Sequence, residues 1–417
     1  MEKGDEVGSH SVGSLQKAIK QFNNQTIIKM IRQLFKLMWN SKRNHSLLII
    51  EIFFSFLVLF GVMSFIISQY ANYVEPMGFE GDNVWVVWFE NANAEGGSLS
   101  KQKENMLNRI ETFEEVDYVT VSENAIPFGG TRNSQSLKKG EVEVWSRYFF
   151  GDANYEEVLE IPLTEGKWFD KNTDDLKYEP VIINQRLREE LFGNETAIGQ
   201  ILNPEDQGRP KKVVGVIGNF RWGGDFHKQE NIYFAPVGKD RISTLLVKVK
   251  PTVTAEFEGQ LSKTISGIAK GYQIEIERLV DKRKTANNLI YIPSIILLTV
   301  CGFLIFNVIL GLFGILWANI NKRKGEIGTR RAMGATQMLI AGQFVGEVMV
   351  IATFALILGC FFAVQFPLMN VFGLANAIYI KAILVSILVI YFLVGICAFY
   401  PSWQASKIHP AIALHAD

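Results

Sequence analysis

Apolar residues fall in two patterns along this chain: four long unbroken runs, and a stretch of short runs and alternations between the first and second of them. The first long run, "SLLIIEIFFSFLVLFGVMSFIIS" at 46–68, has about 23 residues; as a helix rising about 1.5 Å per residue it crosses a hydrocarbon core of about 30 Å. Three more follow at 289–318, 338–366 and 378–400. Residues 1–45 precede the first run, which is longer than the apolar core of a signal peptide and is followed by no small-residue cleavage site. A retained span is therefore predicted.

Lysine and arginine near the span ends give the orientation. Lys36, Lys42 and Arg43 precede the first span, and Lys322, Arg323, Lys324, Arg330 and Arg331 fill the segment 319–337 between the second and third. Both segments are expected in the cytoplasm. The loop 367–378 has no basic residue and is expected outside, as is the long segment 69–288, which puts both termini inside. In the segment 1–45, Ile27, Met30, Ile31, Leu34 and Met38 share one helical face opposite Lys29, Arg32, Gln33 and Lys36. That pattern predicts an amphipathic helix, either lying on the inner leaflet or leading into the span. The first dozen residues, rich in Gly and Ser, read as a disordered tail. Residues 401–417 form a second cytoplasmic tail.

In the outer segment "NVWVVWFE" (83–90) and "DYVTVSE" (117–123) read as strands around an amphipathic helix at 98–113. The order recurs with "TLLVKVK" (244–250), a helix near 253–269 and "YQIEIERL" (272–279). The expected fold class is thus an α-helical membrane domain of four transmembrane helices with an α+β extracytoplasmic domain. The latter is read as a split ferredoxin-like βαβ pair, 83–124 and 243–280, with an inserted strand-rich lobe at 125–242.

Composition narrows the chemistry. Lys plus Arg and Asp plus Glu number 42 each, so no global field draws in nucleic acid or an acidic substrate. Cys301, Cys360 and Cys397 all lie in apolar runs, leaving no disulfide frame or zinc site outside, and the five histidines show no ligand spacing. No phosphate loop, nucleophile elbow or metalloprotease helix occurs; Gly166-Lys167 is followed by Trp168 where Ser or Thr would bind magnesium. The glycines of the insert are expected at turns and strand ends.

The cytoplasmic loop carries more information than a linker needs. Glu326 to Met333 can form two helical turns with a glutamate at the positive end, Gly334 suits a left-handed cap, and Thr336 can cap the third span. A short helix held between two spans is expected to be a docking element. "RKGEIGTRRAMGAT" (323–336) closely resembles the E-I-G-x-R-R-A-x-G-A signature of the MacB/FtsX-type permeases of ABC transporters, a family that includes the lipoprotein-releasing permeases. "YPSWQASKIHPAIALHAD" (400–417) is similar to the family's closing P-x-x-x-A-S-x-x-x-P-x-x-A-L pattern, and "VVGVIGNFRWGGDF" (213–226) looks like its outer-domain stretch. That family has one span before a large outer domain and three after it.

The resemblance implies a non-catalytic permease subunit in the inner membrane of a bacterium, with ATP and Mg bound by a separate ABC ATPase present in two copies. No cofactor is then expected in this chain. Glu326, Ile327, Gly328, Arg330, Arg331, Met333, Gly334 and Ala335 match the signature and are the expected docking surface. Thr329 stands where the family carries an aliphatic residue. Contact with lipid phosphate is the plainer reading of Arg330 and Arg331. Further implied partners are a second permease copy, identical or paralogous, membrane lipids, and a periplasmic adaptor with an outer-membrane channel. The expected task is export or extraction of a peptide, macrolide or lipid-type substrate; the alternative is an FtsX-like regulator that activates a cell-wall hydrolase. A stand-alone membrane enzyme is disfavoured by the missing motifs.

Within the spans, Glu51 and Glu347 are carboxylates at costly positions, each expected to meet another helix or lie near the interface rather than relay protons. Asn307, Gly311 and Gly314 give the second span a small polar stripe suited to a dimer seam. The second span, at roughly 45 Å, exceeds the hydrocarbon by about 15 Å and is expected to project outward as a stalk with 277–288. Cross-linking the stalks of two copies near Asn287 is expected to block the function while leaving ATPase docking intact.

Overall fold

The computed structural model describes residues 42–91, 102–123, 125–129, 133–170, 173, 177–203, 209–238 and 244–407. The amphipathic helix expected around Ile27 to Met38 and the closing residues 408–417 lie outside the described residues. The chain forms two compact units, one of Gln69–Ser294 and one that joins Met1–Ser68 with Ile295–Asp417.

In the outer unit the first strand, β1 (Val84–Asn91), leads to helix α2 (Lys103–Ile110) and strand β2 (Val116–Glu123). After the insert come β10 (Thr244–Val249), α5 (Ala255–Ile268) and β11 (Tyr272–Arg278). The four strands lie in the order β11-β1-β10-β2, every neighbouring pair antiparallel, so the two βαβ units interleave. The near-continuous apolar run of β1 has a packing cause. Trp85 and Val87 face α2 and α5 through Met106, Ile110, Phe257, Leu261 and Ile265, whereas Val84 and Val86 are buried on the other face against an aromatic cluster. A strand covered on both faces has no polar side to alternate with.

The insert comprises β3 (Ser134–Lys139), β4 (Val142–Gly151), α3 (Tyr155–Leu159), β5 (Leu163–Gly166), β6 (Glu179–Asn184), α4 (Gln185–Phe192), β7 (Ile201–Leu202), β8 (Lys211–Ile217) and β9 (Ile232–Pro236). It is not a detached lobe. The end of β2 pairs with the end of β4, Ser122 opposite Gly151 and Glu123 opposite Phe150, so the sheet runs on through β4-β9-β6-β8-β5. Asp152 fixes this seam: its carboxylate accepts from the Thr120 hydroxyl and from the backbone N–H of Val121 at 2.9 Å. The second face of the sheet is filled by Tyr155, Phe149, Phe220, Trp168 and Phe234.

Among the described residues, four helices are long and apolar enough to cross a membrane. They belong to α1 (Lys42–Tyr73), α6 (Leu279–Lys322), α8 (Gln337–Ala363) and α10 (Asn376–Ser406), with the short α7 (Lys324–Ala332) before α8 and α9 (Gln365–Leu368) after it. Leu48, Ile52, Phe56 and Phe60 of α1 pack with Val308, Leu312 and Leu316 of α6, with Ala352, Ala355 and Leu356 of α8, and with Ala382, Ile390 and Val394 of α10. Alanine on facing turns lets these helices approach closely, which matters where lipid supplies no hydrophobic drive. Thr353 of α8 and Tyr391 of α10 add a hydroxyl pair at 2.9 Å. Helix α6 begins ten residues before the apolar run at 289 because Leu279 is itself buried in the outer core and the polar residues after it continue the helix.

Candidate functional site

The loop between the second and third apolar helices is held by packing underneath and by ions at its rim. Ile327 is buried with Ile320 of α6 and with Ile340 and Phe344 of α8; Ala335 packs beside them. Gly328 is also buried, and with Ile327 it seats the helix. Arg323, just before α7, donates through Nη1 to both carboxylate oxygens of Glu347, at 3.1 and 2.9 Å, and through Nε to Glu326 at 3.2 Å. Arg330 bonds Gln343 and Glu326, each at 2.6 Å, and Gln343 reaches Glu347 at 3.2 Å. Burial opposes the charge on Arg323, but the neighbouring Glu347 and Glu326 carboxylates outweigh it and raise its pKa above the usual arginine value. The costly carboxylate of the third span is thus the second half of an ion pair with the loop.

Gly334, at φ +95°, takes the left-handed conformation that closes α7, with its N–H on Arg331 O at 3.1 Å. Thr336 accepts from Leu339 N–H at 3.3 Å and starts α8. Arg331 donates to Ala335 O at 3.1 Å. The outward face presents Glu326, Thr329 and Met333, the last 76% exposed. Of the intramembrane residues, Glu51 lies against Gly311: a Cβ there would stand 2.6 Å from Oε2. Asn307 turns inward on its own helix, bonding Phe303 O at 2.8 Å, and both it and Gly314 are exposed.

In the outer unit the segment "FRWGGDF" (220–226), between β8 and β9, holds three partners at once. Arg221, 2% exposed, donates to the backbone oxygens of Asn72, Glu75, Pro76 (3.1 Å) and Asp225 (2.6 Å). A cation there also meets the negative end of α1. Burial lowers its pKa below the usual arginine value, with Arg283 adding to the effect and Asp225 and Glu75 opposing it. Trp222 ties the segment to the sheet: its Nε1 donates to Glu230 at 3.0 Å, Arg147 lies over its ring, and its carbonyl accepts from Phe128 N–H at 2.6 Å. Asp225 takes α6: Arg283 Nη2 donates to Oδ1 at 2.7 Å, Asn287 Nδ2 to Oδ2 at 2.6 Å, and Asp225 N–H returns to Asn287 Oδ1 at 3.1 Å. Gly224 allows the turn at φ +112°, where a Cβ would crowd Asn287 Oδ1 at 3.0 Å. Asn287 is therefore buried inside its own chain, whereas Leu289 is exposed.

Residues 47–264 match the family of the MacB-like periplasmic core domain, and residues 294–410 match the FtsX-like permease C-terminal family. The chain belongs to the MacB/FtsX-type ABC transporter permeases. This permease is 24% identical over 287 residues to the macrolide export ATP-binding/permease protein MacB of Aggregatibacter actinomycetemcomitans, covering 65% of the chain and 42% of that protein. It is 24% identical over 294 residues to the uncharacterized ABC transporter permease YvrN of Bacillus subtilis, covering 64% of the chain and 69% of that protein. It spans under half the length of the first of these. The periplasmic region of MacB from Actinobacillus actinomycetemcomitans aligns at 18% identity with a TM-score of 0.36, covering 52% of this chain and 98% of that one. The match across the outer domain is to the MacB type and does not favour the cell-wall regulator.

Sequence reasoning quoted "FRWGGDF" without finding its role, because three of the four acceptors of Arg221 are carbonyls of residues about 145–149 positions away, which carry no side-chain signature. Pro293, inside α6, is by contrast a local signal visible in residue type alone.

Proposed function

We propose that this permease works with an ATPase that docks on α7 from the cytoplasm, two ATPase copies serving two permease copies in a bacterial inner membrane with both termini inside. ATP and Mg bind the ATPase; this chain supplies no catalysis. The carrying observation is that α7 is braced on α8 by Arg323 and Glu347 while Glu326, Thr329 and Met333 face outward. A helix braced this way transmits a push instead of absorbing it.

Helix α6, of 44 residues, is about 66 Å long and reaches from this loop to the outer unit. Arg283 and Asn287 lock its outer turns to Asp225. Pro293 removes one rung of the helical ladder just below, so bending is concentrated there rather than spread along a uniform rod. Movement of α7 reaches the outer domain through this jointed lever, and the substrate is handled by the outer domain without passing between the spans. The expected substrate is of macrolide, peptide or lipid type, and of these the name of the first relative supports the macrolide. The finer reading of the outer domain, a split ferredoxin-like pair, is supported by the interleaved order β11-β1-β10-β2.

The test is recovery of an ABC ATPase with the full chain extracted from its own membrane in mild detergent. It is expected with the wild type and lost with Met333→Glu plus Thr329→Glu. Failure to recover any ATPase with the wild type contradicts the reading.

A further inference from the structure

The clamp segment ends in an apolar side chain that serves no core. Phe226 stacks on Tyr73 at 5.6 Å between ring centroids and meets Tyr291 edge-on at 5.0 Å; its carbonyl accepts from Asn72 Nδ2 at 2.9 Å. Tyr73 and Tyr291 are 51% and 45% exposed, and Tyr70 and Val74 beside Tyr73 are exposed as well. An open aromatic patch on a water-soluble domain would be a liability.

Its place along the chain supplies the occupant. Tyr70 and Tyr73 close the apolar stretch of α1, and Tyr291 stands at the start of that of α6. Tyrosine at such positions lies at the headgroup boundary, where an apolar ring and a polar tip are both satisfied. The polar groups behind the patch are arranged for that environment. Arg221 is committed to backbone oxygens, and Asp225 is paired with Arg283 and Asn287, so the segment brings no bare charge toward a medium of low dielectric.

We propose that the clamp segment 220–226 is seated in the outer headgroup boundary of the bilayer through Phe226, Tyr73 and Tyr291. The partner is the lipid of the membrane the chain spans, and the aromatic seat fixes the depth of the outer domain's clamp. This holds whether or not an ATPase docks on α7, so it stands or falls separately from the proposed function.

The experiment places the photoreactive p-benzoylphenylalanine at Phe226 in the full chain in phosphatidylethanolamine–phosphatidylglycerol nanodiscs. After irradiation, adducts are identified by mass spectrometry. Phe303, exposed within the apolar run of α6, is the lipid-facing reference, and Trp145, 70% exposed on β4, the water-facing one. Lipid adducts at 226 are expected in yield comparable to position 303, with none at 145. They are expected to fall when Asp225→Ala releases the segment. The same probe at Tyr73, already half exposed, tests the seat without disturbing the packing of Phe226. Adducts at 226 and 73 that involve only protein or water overturn the proposal.

Discussion

The two ends of α6 are fastened by different chemistry. At the inner end Arg323 meets Glu347 and Glu326, side chain to side chain, with the Arg323 and Glu347 side chains 25% and 21% exposed. At the outer end the buried Asp225 carboxylate takes Arg283 and Asn287 of α6, and the buried Arg221 of the same segment holds backbone oxygens at the end of α1. Ion pairs between partly exposed side chains adjust with little penalty and are screened by salt. A guanidinium on four carbonyls fixes one geometry and is insulated from solvent. On the proposed function, this suits the inner end to receive movement and the outer end to hold its shape while being moved.

The largest expected effect breaks the outer fastening. Arg221→Met keeps an apolar stem but leaves four backbone carbonyls without their donor, and is expected to remove about 3 kcal/mol of outer-domain stability. Unfolding of the full chain followed by near-UV circular dichroism measures it; unchanged unfolding would refute the assignment. Asp225→Ala is expected to lose about 2 kcal/mol, since the exposed Arg283 can turn to water. A double-mutant cycle of Asp225 with Arg283 is expected to show coupling, and additivity would contradict the pair.

Glu347→Gln sharpens the contrast. It is expected to lose about 1 kcal/mol, and the difference from wild type is expected to shrink in molar salt, whereas that of Arg221→Met persists. Equal salt dependence at the two ends would erase the comparison. The smallest effect is one of pH. Burial pushes Glu230 up, but the bonds from Arg147 and Trp222 outweigh it and leave its pKa below the ordinary glutamate value. Its contribution is therefore present above that ordinary value and lost as pH falls through the lowered one. Glu230→Gln is expected to flatten this acid limb of the melting temperature; an unchanged limb would contradict it.

The spans and both βαβ units were legible because long apolar runs and strand–helix–strand order are local signals. The outward stalk was expected with 277–288, but its exact start was not legible, because only the burial of Leu279 marks where the helix departs from the sheet. Nor was the merging of the insert into one sheet, which depends on Ser122 and Glu123 finding Gly151 and Phe150. At the loop, the cap roles of Gly334 and Thr336 could be read from residue type. The partner of Glu347 could not, because Arg323 lies 24 positions away on another element. Signature residues are also divided in a way no motif shows: Ile327 and Gly328 face inward and Met333 outward.

The central claim is that work done at α7 arrives at the outer domain through α6. Its most direct test is pulsed electron resonance on a chain lacking Cys301, Cys360 and Cys397 and spin-labelled at Trp145→Cys, reconstituted with its ATPase in nanodiscs. Trapping the ATPase with ATP and vanadate is expected to shift the distance between labels on the two permease copies, and Glu347→Gln is expected to diminish the shift. An unmoved distance distribution while the bound ATPase is demonstrably trapped would contradict the account.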